Sequence, residues 1–359
     1  MKMNKPEYIT GTYAVGTETF SIFDETRTEQ LGPATGPRKI AVRLYYPVNK
    51  QDVEGLPKEA ALSQFKREAL EKAFHVKMPK GADFTADYYA DVPQVAGMRF
   101  PLILFNHGYN SYVEGHTFLC CELASNGYIV ASVGHAHEAI ANEYEDGSTD
   151  LFDKKINKMM YDNSILKVLI DQSKLKKAKG TPEEIYEKFN AFQKKHMNYI
   201  IGRVPVWAED TLCAVRALKE RCADRIDFSK GIGATGHSMG GAVAYYLCQH
   251  EEEFSCGLNI DGGLFGDYEG MIMKKPFLQI CCEDNRNVTT RPLFGTEAFV
   301  RREVFEDMKH LGFADAKFMI PIKAAVGKLD GVTMHKRLVA CHFEIFDRYL
   351  RGQESACGK

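Results

Sequence analysis

The sequence predicts an α/β fold with a mostly parallel central sheet flanked by helices. Three observations carry this. The runs Pro101-Leu102-Ile103-Leu104-Phe105 and Phe277-Leu278-Gln279-Ile280-Cys281-Cys282 are almost unbroken apolar segments, as strands buried on both faces require. From residue 101 onward such runs alternate with helix-patterned segments. Finally, Lys230-Gly231-Ile232-Gly233-Ala234 reads as a strand that runs into Thr235-Gly236-His237-Ser238-Met239-Gly240-Gly241, and the helix-like 242–247 follows.

The elements come in this order. Residues 8–24 and 39–46 read as early strands joined by the Gly/Pro-rich turn Leu31-Gly32-Pro33-Ala34-Thr35-Gly36-Pro37. Residues 58–75 carry apolar residues at helical spacing (Ala61, Leu62, Phe65, Leu70, Phe74). After strand 101–105, a helix over 115–125 ends near Asn126-Gly127, and 128–133 forms the next strand. Residues 138–203 then break the rhythm. They are rich in Lys, Glu, Asn and Met and predict two helices, near 151–176 and 182–200. Thr181 is the cap and Pro182 the first turn of the second helix. A helix over 205–220, with Trp207, Leu212, Val215 and Leu218 on one stripe, leads back to the strand before Ser238. Two more strands, 256–261 and 277–282, and a final helix over 335–350 complete the order. No internal repeat or low-complexity segment is present.

Gly236-His237-Ser238-Met239-Gly240 is a Gly-x-Ser-x-Gly motif in strand-to-helix context, the nucleophile elbow of an α/β-hydrolase. A sharp turn lifts the serine hydroxyl above the sheet and strains its backbone, and glycines two positions away relieve the clashes. Helix 239–250 would aim its N-terminus at the reacting oxygen, with the Met239 N–H as an oxyanion donor. The expected architecture is a single α/β-hydrolase domain over 1–359, with 138–203 as a helical cap or lid insertion, where specificity would reside.

Composition narrows the function classes. Of 359 residues, 45% are hydrophobic and 26% charged, enough apolar material for a sizeable core. A net charge of −2 gives no reason to expect nucleic acid or an anionic membrane as a partner. No stretch reaches the length of a membrane span. The opening Met1-Lys2-Met3-Asn4-Lys5-Pro6-Glu7 lacks the apolar region of a secretory signal, so a cytoplasmic location is expected. In that setting the ten cysteines, including the pairs Cys120-Cys121 and Cys281-Cys282, are expected to be reduced, buried small hydrophobes. Their spacing matches no zinc pattern, and neither a metal nor a cofactor is expected. Oligomeric state is left open, a homo-oligomer included.

A serine hydroxyl needs a base, and the base needs an orienting carboxylate. On this fold both follow the serine in the chain. Asp261 and Asp284 each end a strand on the catalytic edge of the sheet, and Asp261 precedes the sharp turn Gly262-Gly263. The histidines after Ser238 are His250, His310, His335 and His342. The first lies at the far end of the elbow helix, and the last two fall in the final helix, where packing accounts for them. His310, at a strand-to-loop transition, competes chiefly with His335. A second oxyanion donor is expected from the loop Asn106-His107-Gly108-Tyr109-Asn110, with the Tyr109 N–H as the donor and His107 as a structural residue.

Several segments together resemble a known family. These are Leu104-Phe105-Asn106-His107-Gly108, the run Leu123 to His135, Gly236-His237-Ser238-Met239-Gly240-Gly241, Gly257-Leu258-Asn259-Ile260-Asp261 and His310-Leu311-Gly312-Phe313-Ala314-Asp315. They resemble the plasma-type (isoform II) platelet-activating-factor acetylhydrolases and their bacterial relatives, from residue 39 to the C-terminus outside the cap. The resemblance implies Asp261 as the acid. It implies His310, in a His-x-x-Phe-x-Asp motif, as the base. The implied set is Ser238, Asp261 and His310 with Tyr109 and Met239 as oxyanion donors.

Three departures stand out. The family's aromatic-rich segment after the acid is here Gly262-Gly263-Leu264-Phe265-Gly266, so the acyl pocket is expected to differ. The residues before His310, Val304-Phe305-Glu306-Asp307-Met308-Lys309, are more polar than a buried strand. The animal members are secreted, and no secretory signal is legible here, so platelet-activating factor itself is not the expected natural substrate.

The expectation is therefore a serine esterase that hydrolyses carboxylic esters with short or oxidised acyl chains, of lipids or small metabolites, through an acyl-enzyme. Two rivals stand beside it: an amidase or peptidase with the same triad, and a non-catalytic ligand-binding member of the fold.

Overall fold

The computed structural model describes residues 6–353 except 34, 76, 78–85 and 320–321. The first five residues of the N-terminal segment read above therefore lie outside the described residues. The chain divides into two compact units. The N-terminal unit takes Pro6–Asp153 and Asp210–Ser229. The C-terminal unit takes Lys154–Glu209 and the chain from Lys230 onward.

In the N-terminal unit, β1 (Ala14–Thr28) and β2 (Pro37–Val48) form a long antiparallel hairpin. Its pairing is irregular between Asp24 and Thr28. Helix α1 (Gln64–Phe74) starts where the Ser63 hydroxyl accepts from the Lys66 N–H at 3.1 Å. The short β3 (Tyr89–Ala90) pairs parallel with β1. β4 (Phe100–Asn106) and β5 (Ile129–His135) pair parallel, joined by α2 (Thr117–Ser125), and β5 runs antiparallel to β2. Every residue of α2 is buried, which explains its apolar Phe118-Leu119-Cys120-Cys121 run.

The segment 138–203 opens as a hairpin, β6 (Ala141–Glu143) and β7 (Thr149–Leu151), within the N-terminal unit. Its turn is Glu145-Asp146-Gly147-Ser148, with Gly147 at φ 78°. Helices begin only with α3 (Ile156–Met159) and α4 (Ile165–Lys176). The single helix read over 151–176 is thus broken. Asp162 ends the first piece by accepting from the Asn198 N–H and side-chain amide at 2.9 and 3.0 Å. α5 (Pro182–His196) begins with the capping box anticipated at Thr181, closed by Glu184. α6 runs from Asn198 to Arg221 with Pro205 in its interior rather than at its start.

A short β8 (Ile226–Asp227) pairs with β4. The rest of the C-terminal unit is a four-stranded parallel array in the order β9 (Ile232–His237), β10 (Phe254–Ile260), β11 (Phe277–Cys282), β12 (Val300–Phe305). α7 (Met239–His250) connects β9 to β10 and packs on both. β12 is a strand that sequence patterning missed. It closes the edge of the array, and its Arg301, Arg302 and Glu303 stay half-buried. After α8 (Ala316–Met319) and α9 (Lys323–Val326), α10 (Gly331–Phe346) is capped by Asp330, which accepts from the Thr333 N–H at 2.9 Å. α10 packs on β10 and β11. The final helix therefore begins earlier than 335.

Nine cysteines among the described residues are buried thiols outside any disulfide.

Candidate active site

Ser238 occupies the turn between β9 and α7 at φ 57° and ψ −120°, a conformation that is costly for a residue with a side chain. Two glycines make it tenable. A Cβ on Gly241 would stand 1.8 Å from Asn259 Oδ1, and one on Gly262 would stand 2.1 Å from the Ser238 carbonyl oxygen. The Ser238 N–H donates to the Ile260 carbonyl at 2.9 Å, which ties the turn to the end of β10. Asp261 follows directly and is itself at φ 56°. The two strained positions are thus packed backbone to backbone.

His310 lies between them. Its Nε2 is 2.9 Å from Ser238 Oγ, and its Nδ1 is 2.7 Å from Asp261 Oδ2. An ionised carboxylate can only accept, so Nδ1 carries the ring hydrogen and Nε2 accepts from the serine hydroxyl. Asp261 is buried, while the His310 side chain is 39% exposed. Such an arrangement can take the serine proton onto Nε2 while the buried carboxylate steadies the resulting imidazolium.

Three residues not singled out from the sequence support this geometry. The Cys282 N–H donates to Asp261 Oδ1 at 2.7 Å, and its thiol stands 3.3 Å from Oδ2. Burial first, and then the Asp261 charge, push that thiol well above its ordinary range, so it remains S–H and donates. Asn285, in the 3-10 segment Glu283–Thr289, donates to Asp261 Oδ2 at 2.8 Å. His237 Nε2 donates to the His310 carbonyl at 3.1 Å, and the two rings lie 4.7 Å apart at 31°. Only the adjacency of Cys282 to a strand end hinted at any of these in the sequence.

The model of the family "Platelet-activating factor acetylhydrolase, isoform II" matches residues 2–292 of this chain. The chain belongs to this family. Within the platelet-activating factor acetylhydrolase family it is 25% identical over 256 residues to the enzyme of that name from Cavia porcellus, covering 66% of this chain and 52% of the relative. It is 27% identical over 182 residues to that from Canis lupus familiaris, covering 47% and 36%. The chain thus spans about half, or less, of the length of these curated relatives. Among solved structures, a ferulic acid esterase from Streptomyces cinnamoneus superimposes with a TM-score of 0.72 at 21% identity, covering 99% of this chain and 94% of that one. At that identity the likeness establishes the fold, which is the α/β-hydrolase fold read from the elbow.

The remaining candidates of this acetylhydrolase-family chain fall elsewhere. Asp284, the rival acid, is exposed and pairs with Lys309 at 2.7 Å, which holds its carboxyl below the usual range. His250 stacks on Tyr246 at the far end of α7. His335 and His342 are buried in α10. Met239 is the first residue of α7, so its N–H has no acceptor within the helix. Tyr109 belongs to the N-terminal unit, where its hydroxyl donates to Glu138 Oε1 at 2.6 Å. His107 is fully buried there, with Nδ1 2.7 Å from the Gly108 carbonyl, and burial pushes it down to about 3. Among the described residues, no group of three or more His, Cys, Asp or Glu side chains is placed to hold a metal ion.

Proposed function

We propose that this chain is a serine esterase acting on carboxylic esters with short or oxidised acyl chains. The observation that carries the reading is the relay from Ser238 Oγ through His310 to the buried Asp261, at 2.9 and 2.7 Å. Ser238 Oγ attacks the ester carbonyl as His310 Nε2 takes its proton. Asp261 holds the ring through Nδ1–H and stabilises its positive charge. The Met239 N–H, at the positive end of α7, receives the oxyanion. Loss of one such donor is worth about 2.7–4 kcal/mol of transition-state stabilisation. His310 then protonates the departing alcohol and next draws a proton from water, which releases the acid and restores Ser238. The helices from α3 to α5 act as a cap on this site. Supporting this, α4 and α5 pack on the 3-10 segment that carries Asn285.

The test is turnover of p-nitrophenyl esters from acetate to decanoate by the wild type and Ser238→Ala, with intact mass after an organophosphonate probe. The expected result is a probe adduct on Ser238, a preference for short chains, and no turnover by the variant. Hydrolysis by Ser238→Ala at the wild-type rate would overturn the assignment. Faster cleavage of an amide than of the ester with the same acyl group would move the chain to the amidases.

A further inference from the structure

Two buried strands carry a polar residue where an apolar one is expected. β10 reads Phe254-Ser255-Cys256-Gly257-Leu258-Asn259-Ile260, and β11 reads Phe277-Leu278-Gln279-Ile280-Cys281-Cys282. Strands covered on both faces are built mainly of apolar side chains, yet Asn259 and Gln279 are fully buried. They are also partners in the register of this parallel pair, so the two amides stand side by side. A buried amide is costly unless its hydrogen bonds are met. We propose that Asn259 and Gln279 are a positioning pair for the esterase reaction, which together clamp the turn that aims Asp261 at His310.

The hydrogen bonds of the pair form a circuit around the acid. Asn259 Oδ1 accepts from the Gly262 N–H at 2.8 Å, and Asn259 Nδ2 donates to the Gly262 carbonyl at 2.8 Å. The same Nδ2 donates to Gln279 Oε1 at 2.9 Å. Gln279 Nε2 donates to the Ile280 carbonyl at 2.6 Å, and that carbonyl also accepts the Asp261 N–H at 2.9 Å. The N–H of the acid and both backbone polar groups of the residue after it are thereby tied together through two side chains. Cys282 and Asn285 hold the carboxylate oxygens, whereas the amide pair holds the backbone that carries them.

The acid needs such a clamp. Asp261 is at φ 56°, and a position of this kind persists only where its surroundings over-determine it. With the circuit open, the turn relaxes and the carboxylate leaves His310 Nδ1, which it meets at 2.7 Å. The elbow makes room for the pair. Gly236, the register partner of Asn259 on β9, has no side chain, and a Cβ on Gly241 would stand 1.8 Å from Asn259 Oδ1. The inference rests on the esterase reading of Ser238, Asp261 and His310.

The experiment compares wild type with Asn259→Ala, Asn259→Ser and Gln279→Leu, each well below its thermal midpoint. It reads kcat and KM for p-nitrophenyl acetate, the rate at which the organophosphonate probe labels Ser238, and the downfield proton resonance of His310 Nδ1–H. Asn259→Ala should lower kcat and the labelling rate by about tenfold to a hundredfold, the scale of a small misplacement of a reacting group. KM should stay within about twofold, because substrate binding is not the property removed. The resonance should move upfield as the Nδ1 to Oδ2 distance grows. Asn259→Ser keeps an oxygen that can accept the Gly262 N–H and should fall between wild type and Ala. Gln279→Leu opens the circuit while the clamp on Gly262 remains, so it should show a smaller loss of the same kind. It also carries the test if Asn259→Ala does not fold. Wild-type kcat in the folded variant overturns the proposal, whatever its midpoint. So does a lower kcat with an unmoved resonance, since the acid would then still be in place. A wild type with neither turnover nor a probe adduct overturns the esterase reading instead, and the resonance then decides alone whether the pair holds Asp261 to His310.

Discussion

Asn285 donates to the same Asp261 oxygen that receives His310 Nδ1–H, at 2.8 and 2.7 Å respectively. The carboxylate oxygen is therefore shared between the His310 ring and a side-chain amide.

Asn285→Ala removes that competing donor. Asp261 then keeps fewer of the donors that fix its carboxylate, so kcat/KM should fall while the urea midpoint stays near that of the wild type. The fall is up to about tenfold, since a hydrogen bond is worth ~0.5–1.5 kcal/mol. An unchanged kcat/KM would reduce Asn285 to a packing role.

Gly262→Ala places a methyl against the Ser238 carbonyl, where a Cβ would stand at 2.1 Å, and near Asn259 Oδ1, at 2.7 Å. Both neighbours are fixed by the elbow. Overpacking of this kind costs about 1–3 kcal/mol. Because the displaced atoms adjoin the nucleophile, kcat should fall together with the urea midpoint. A variant with wild-type kcat would show that the turn yields without moving Ser238.

Gln193→Leu should destabilise the C-terminal unit without touching the reacting groups. The Gln193 side chain donates to the Gly266 carbonyl at 2.7 Å and accepts from the Gly266 N–H at 3.0 Å, fixing the chain just past the acid. Losing both partners costs about 1–3 kcal/mol. Gln193→Glu keeps the acceptor alone and should fall between wild type and Leu in urea unfolding.

His342 makes stability fall in mild acid. Its ring is fully buried, with Nδ1 2.7 Å from the Leu338 carbonyl and Nε2 3.1 Å from Thr235 Oγ1, an arrangement that suits the neutral tautomer. Burial pushes it down to about 4. A folded value below the unfolded one of about 6.5 means that its contribution is whole above pH ~6.5 and is lost as pH drops toward 4. Denaturant unfolding across that window should show a smaller loss for His342→Gln than for wild type. Parallel curves would place the acid sensitivity elsewhere.

What the sequence made legible was local. The elbow is contiguous, and its glycines and flanking patterns fall within one strand, one turn and one helix. β11 and α7 were readable to the residue because one is a buried apolar run and the other is bounded by the elbow. The cap of α5 was readable because Thr181, Pro182 and Glu184 act on their own helix end. What escaped was tertiary. β12 is an edge strand whose Arg301 pairs with Glu344 at 2.6 Å and whose Glu303 pairs with Arg337 at 2.5 Å, so its polarity is answered by another element. The break between α3 and α4 depends on Asn198, and the hairpin in 138–203 on a short turn. The choice of Asp261 and His310 over Asp284 and His335 needed the family resemblance. Asn285, Cys282 and His237 took on meaning only when the chain ends of three strands met.

The contact between Gly262 and the Ser238 carbonyl also sets how this machinery can be moved or diversified. The elbow and the acid's turn are two halves of one interlocked joint, so the chain from β9 to Gly262 can be grafted only whole. Random libraries across 259–262 should return few working sequences. His310 comes from 49 residues beyond Asp261 and meets the joint through its ring and one carbonyl. The loop that delivers it can therefore change length and composition, leaving an engineer free to rebuild the approach to the serine while the joint is kept as found.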